Sequence, residues 1–94
     1  MKIYRLVNTE NDMCYIGQTT QKMCIRKGQH KYCALNTIKP CSSKYLYHNC
    51  IDYKNIKIEL IEELFTNSKL LGEIRERFWI SYYNDKCVNQ KLRD

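Results

Sequence analysis

Residues 55–60 read Asn-Ile-Lys-Ile-Glu-Leu. Ile56, Ile58 and Leu60 alternate with Lys57 and Glu59, the period of a strand with one buried face. Such a strand needs partners, and the start of the chain supplies them. Lys2 to Val7 and Met13 to Gly17 are short runs rich in β formers, separated by the polar cluster Asn8 to Asp12. Two such runs around a polar turn predict a hairpin. Within the first run Tyr4 and Leu6 share one face, and Ile3, Arg5 and Val7 share the other. Gly17 ends the second run and allows a close turn.

Helical periods fill most of the remainder. Thr19 or Thr20 can cap a helix to about Leu35. Its expected core stripe is Ile25, Gly28, Tyr32 and Leu35, with Arg26 and His30 four apart on an adjacent face. Gly28 costs such a helix about 1 kcal/mol and permits a close backbone approach. Residues 36–42, with Pro40, read as a loop, and Ser42 or Ser43 starts a short helix through His48. Asn67 or Ser68 caps a last helix to about Tyr83, whose main stripe is Leu71, Ile74, Phe78 and Tyr82. Residues 84–94 are polar and irregular. The fold class is α/β: one domain over residues 1–94, a small three-stranded, mainly antiparallel sheet flanked by helices, in the order ββααβα.

Charge narrows the class of partner. The chain carries a formal net charge of +6. Residues 1–50 hold eight basic and two acidic side chains, whereas residues 51–94 hold eight of each. The positive field belongs to the first half and points to a polyanion. No apolar run is long enough to span a bilayer, so no membrane partner is expected. The opening MKIYRLVN lacks the apolar core of a secretory signal. The six cysteines (Cys14, Cys24, Cys33, Cys41, Cys50 and Cys87) contain no CxxC pair. They read as intracellular free thiols, small and mostly buried, rather than as a disulfide framework or a zinc site. The expected compartment is intracellular, the cytoplasm or nucleus of a cell or virus-infected host.

Some residues invite chemistry. Glu76 sits on a second, partly apolar face of the last helix, with Gly72 before it and Trp79 and Ile80 after it. A carboxylate there is ion-paired, metal-bound or raised in pKa, and spacing alone favours the ion pair. Glu73 and Arg77 are expected to form an ordinary i,i+4 surface pair. Arg26 with His30 could hold a phosphate, although such a pair is more often solvated. Tyr4 and Tyr15 on neighbouring strands read first as cross-strand packing. Neither HExxH, nor a P-loop, nor a dinucleotide turn, nor a C₂H₂ finger spacing occurs.

Taken in order, these residues match one family. The chain resembles the GIY-YIG nuclease domain over essentially its whole length. The first signature stands as Lys2-Ile3-Tyr4, with Lys in place of the family's Gly. The second is intact as Tyr15-Ile16-Gly17. The family's helix Arg, with a His four residues later in many members, corresponds to Arg26 and His30. Its metal-binding Glu corresponds to Glu76 in Glu76-Arg77-Phe78-Trp79-Ile80, and its late Asn to Asn89. Ser42 to Leu46, SSKYL, resembles homing-type and large-DNA-virus members. Some homing members carry a His just before the serines, where this chain has Cys41.

The resemblance implies a metal-dependent DNA endonuclease that hydrolyses a phosphodiester by water attack. Its cofactor would be Mg²⁺ or Mn²⁺, with Glu76 as the direct protein ligand. Arg26 would hold the phosphate, and Asn89 would position Glu76 or water. Tyr4 is the first choice of general base, with Tyr15 orienting it; Tyr15 itself and His30 remain the alternatives. Lys22, Arg26, Lys27, His30, Lys31, Lys39 and Lys44 would contact DNA. Homing members usually attach a separate DNA-binding domain, and one site cuts one strand, so a further DNA-binding domain or a homodimer is an expected partner. The competing reading is a nucleic-acid-binding module of the same fold with little or no catalysis.

Overall fold

The computed structural model describes residues 1–36, 43–66 and 68–89. The loop with Pro40, together with Lys39, Cys41, Ser42, Asn67 and the last five residues, lies outside them. Strands β1 (Lys2–Asn8) and β2 (Cys14–Thr19) form the expected hairpin, paired from Lys2↔Thr19 to Val7↔Cys14. Its turn is closed by side chains: Asn8 Oδ1 accepts from the Glu10 N–H at 2.9 Å, and Asn11 Oδ1 accepts from the Met13 N–H at 2.9 Å. Helices α1 (Met23–Asn36) and α2 (Lys44–His48) follow. A 3₁₀ turn, Tyr53–Asn55, leads into β3 (Ile56–Glu63), and α3 (Lys69–Tyr83) comes last, followed by a second 3₁₀ turn, Asn84–Lys86. The sheet is antiparallel throughout, in the order β2-β1-β3, so the first strand is central.

Alternation along β1 divides the core in two. Tyr4 and Leu6 face α1 and α2 and pack with Ala34, Leu46, Tyr47, Ile56 and Val88. Ile3 and Val7 face α3 and pack with Cys14, Ile16, Ile80 and Cys87. The sheet is therefore covered by helices on both sides. Cys14, Cys24, Cys33, Cys50 and Cys87 are free thiols.

Several expectations about facing are overturned. In α3 the stripe Leu71, Ile74, Phe78 and Tyr82 is exposed, at 39%, 53%, 49% and 68%. The inward face carries buried Gly72 and Ile80 with half-buried Glu76, Trp79 and Tyr83. Gly72 explains the choice: a Cβ there would collide with the Gln18 side-chain amide of β2. The helix seats on the sheet where it is thinnest, and apolar periodicity gives a glycine no weight. In α1 the expected stripe is likewise outward, with Ile25, Tyr32 and Leu35 about half exposed or more. His30 and Ala34 are buried instead, beside half-buried Met23 and Arg26. Polar side chains occupy that face because they find partners in the sheet, described below. On β3, Ile56 is buried and Ile58 half-buried, but Leu60 is 51% exposed near the β-bulge opposite Ile3 and Tyr4.

The ends also differ from expectation. Neither Thr19 nor Thr20 caps α1; Thr19 closes β2 and its Oγ1 accepts from the Gln21 N–H at 3.0 Å. Ser68 does cap α3, accepting from the Leu71 N–H. Glu73 and Arg77 do not pair with each other among the described residues; Arg75 pairs with Glu62 at 2.8 Å. Residues 84–89 are not an irregular tail. Cys87 forms a parallel bridge with Cys14, and Val88 is buried.

Candidate active site

The site grows from the middle of β1. Tyr4 is fully buried, and its partner across the hairpin is Gly17. A Cβ at Gly17 would overlap the phenol, lying 2.5 Å from Tyr4 Cζ. The missing side chain is what allows the Tyr4 ring to lie across β2 and reach α1. There its hydroxyl meets two residues one helical turn apart. Arg26 Nε–H donates to it at 3.1 Å, and His30 Nε2 lies 2.5 Å away. Tyr15 flanks the pair, its ring 5.0 Å from the His30 ring and 6.4 Å from that of Tyr4.

His30 is 3% exposed. Burial, helped by the Arg26 charge, pushes its pKa down to about 4, so the ring is neutral at pH 7. Its other nitrogen, Nδ1, lies 2.7 Å from Ser43 Oγ. A neutral ring satisfies both contacts when Nδ1–H donates to Ser43 and Nε2 accepts the phenol proton. Ser43 occupies the N-cap of α2 yet makes no side-chain cap bond. Its hydroxyl serves the imidazole instead. As a helix start and part of the SSKYL string the serine gave no sign of this role, because a lone hydroxyl carries no periodic or charge signal.

Glu76 stands on the α3 side of the sheet. It lines a polar cavity of about 290 Å³ with Gln18, Glu73 and Arg77. Gln18 also lines a second cavity, of about 430 Å³, that contains Arg26, Thr19, Thr20 and Lys69. Gln18 on edge strand β2 thus lies between the Arg26 and Glu76 sides. Its Oε1 is buried and has no hydrogen-bond partner among the described residues. Glu73 and Glu76 give the cavity carboxylate oxygens, hard donors that suit a divalent cation, with Gln18 beside them. Among the described residues no three His, Cys, Asp or Glu side chains converge. Gln18 and Lys69 were not singled out from the sequence.

Asn89 is hydrogen-bonded to the backbone of β2. Its Oδ1 accepts from the Ile16 N–H and its Nδ2 donates to the Ile16 carbonyl, both at 2.8 Å. Cys87 Sγ–H donates to the same Oδ1 at 2.9 Å. Asn89 thereby ties the end of the domain to the residue before Gly17. Of the lysines, Lys22 is exposed just before α1, Lys27 and Lys31 lie on the flank of α1, and Lys44 stacks on Tyr45 at 5.6 Å. Lys39 is outside the described residues. Lys2 is half-buried and its Nζ donates to the Gln21 carbonyl at 3.4 Å.

No family model matches the chain, and no curated protein matches it significantly in sequence. A solved structure does. The catalytic domain of homing endonuclease I-TevI is similar with a TM-score of 0.71, 25% identity, and coverage of 90% of this chain and 89% of that one. The chain has the fold of the GIY-YIG nuclease family. Among the described residues no helix is long and apolar enough to cross a membrane.

Proposed function

From that fold we propose that the chain is a metal-dependent DNA endonuclease, which hydrolyses a phosphodiester by attack of water. The observation that carries the reading is the Tyr4 hydroxyl, held between a guanidinium and a neutral imidazole. Arg26 serves two ends. It holds the phosphate through its guanidinium, and its Nε–H stabilises charge on the phenol oxygen. Tyr4 takes the proton of the attacking water while passing its own to His30 Nε2. The engagement of Nε2 by the Tyr4 hydroxyl favours action through Tyr4 over direct action of His30 on water. Tyr15 packs against both rings and keeps their geometry. Asn89 acts through β2, which carries Tyr15, Gly17 and Gln18.

Glu76, with Gln18 beside it, would hold the divalent ion, Mg²⁺ or Mn²⁺. When bound, that ion supplies charge stabilisation at the departing 3′ oxygen. Products would carry 5′-phosphate and 3′-hydroxyl ends. Lys22, Lys27, Lys31 and Lys44 would contact backbone phosphates without reading sequence.

Incubation with supercoiled plasmid and Mg²⁺ or Mn²⁺ tests the proposal. Nicking that is lost in Glu76→Gln and in Tyr4→Phe, with DNA binding retained, is the expected result. Binding without nicking across metals and pH would sink the enzyme reading and leave the nucleic-acid-binding module.

A further inference from the structure

We propose that the groove between α1 and the 3₁₀ turn before β3 is a second DNA contact, which receives the phosphodiester backbone flanking the cleavage site. This rests on the reading of DNA as substrate and deepens it, gathering Lys27 and Lys31 with Lys54 and Gly28 into one surface. The groove encloses about 640 Å³. Lys27 and Lys31 line it from α1, and Lys54 lines it from the opposite wall. Lys31 Nζ sits 5.9 Å from the centre of the Tyr53 ring, which holds the ammonium at the groove. The acidic lining residue is Asp52, and its Oδ1 is engaged in accepting from the Lys54 N–H at 2.9 Å. Among the described residues the three lysines outnumber Asp52 and the Glu10 carboxylate, which accepts from the Ile51 and Asp52 N–H groups of the same wall, so the groove is net positive and suits a polyanion.

Gly28 is the second, independent observation. It lies between the two lysines in the middle of α1 and lines the same groove. A Cβ there would meet nothing within 4 Å among the described residues. Packing among the described residues therefore does not account for a residue that costs the helix about 1 kcal/mol. A bare stretch of helix between lysines suits a backbone that approaches from outside. The location fits as well. Lys27 and Lys31 each follow a site residue, Arg26 and His30, by one position, so they occupy the next stripe of a helix about 10–12 Å across. One duplex can reach both the site and the groove.

The test uses the full chain, a duplex oligonucleotide, and a salt titration without divalent metal. Lys54→Ala should weaken binding about threefold or more and lower the slope of log affinity against log salt by about 0.9. Gly28→Leu should raise the melting temperature, because it restores helix propensity, yet weaken duplex binding. Parental affinity and salt slope in either variant would overturn the groove. Nicking by the parent chain is scored in parallel. A parent that nicks, with variants that bind like it, removes the groove alone. A parent that binds without nicking, with both variants impaired, removes the nuclease reading and keeps the groove.

Discussion

The Tyr4 ring fills the space that a side chain at Gly17 would need. The two residues face each other across the hairpin, and their relation couples the backbone of β2 to the hydroxyl that meets Arg26 and His30. Gly17→Ala should therefore displace the phenol. Overpacking at a filled site costs about 1–3 kcal/mol. Chemical denaturation of the variant should show that loss, and nicking should fall with it. A variant as stable and as active as the parent would mean that the ring can move aside.

Along the chain Tyr4–His30–Ser43, the effect of a deletion should fall with distance from the phenol. Tyr4→Phe removes the group proposed to take the proton and should lower single-turnover nicking by about 10²–10⁴. Ser43→Ala keeps the bond between Tyr4 and His30 but leaves Nδ1 unsatisfied in a buried position, a cost of about 1–3 kcal/mol in stability. Its rate should fall by less than that of Tyr4→Phe. The reverse order of rates would place the proton elsewhere.

Burial of His30 makes stability depend on pH. Its folded pKa, about 4, lies below the ordinary 6.5, because burial first and Arg26 second disfavour the charged ring. Between these values the unfolded chain binds more protons, so folding weakens as pH falls. The contribution is fully present above about pH 6.5 and is lost as pH drops to about 4, of order 3 kcal/mol. Arg26 is the charged group facing the ring, and Tyr4, Tyr15 and Ser43 are its neutral neighbours. Melting measured from pH 7 to pH 5 should shift more in the parent than in His30→Gln. Equal shifts in the two would contradict the burial of a neutral ring.

Much of the architecture was legible because alternation and turn chemistry are local. The hairpin, β3 and the helix order follow from residues within a few positions of one another. The set Tyr4, Tyr15, Arg26 and His30 was legible from motif order, and the structure gathers those four. What failed was the facing of helices. Gly72 decides how α3 seats, and Gly72 is silent in any count of large apolar residues. In α1, His30 and Arg26 look like a solvent face until Tyr4 supplies their partner across the sheet. Gln18 and Ser43 escaped for a related reason, since an amide or hydroxyl has meaning only through what it touches.

The facing of α3 can be checked directly. Ile80 is 5% exposed and Ile74 is 53% exposed. Ile80→Ala should cost about 2–5 kcal/mol, the usual range for emptying a core site. Ile74→Ser should stay within about 0.5 kcal/mol, as for a surface change. The expectation from periodicity alone is the opposite, because it placed Ile74 in the main stripe. Denaturant midpoints of the two variants decide between them.

Asn89 offers a separation between positioning and chemistry. Both of its amide atoms are spent on the Ile16 backbone, next to the glycine on which the Tyr4 ring lies. Asn89→Ala should leave the Ile16 N–H and carbonyl without these partners on an edge strand. The expected cost is about 1–3 kcal/mol, less if water reaches the vacated site. Asn89→Asp keeps an acceptor for the N–H and loses the donor for the carbonyl, so it should fall between alanine and the parent. Because Asn89 acts through β2, the nicking rate should fall in step with stability, and the pH dependence of the rate should keep its shape. A pH profile that changes in Asn89→Ala at full stability would instead place the amide among the groups that handle the proton.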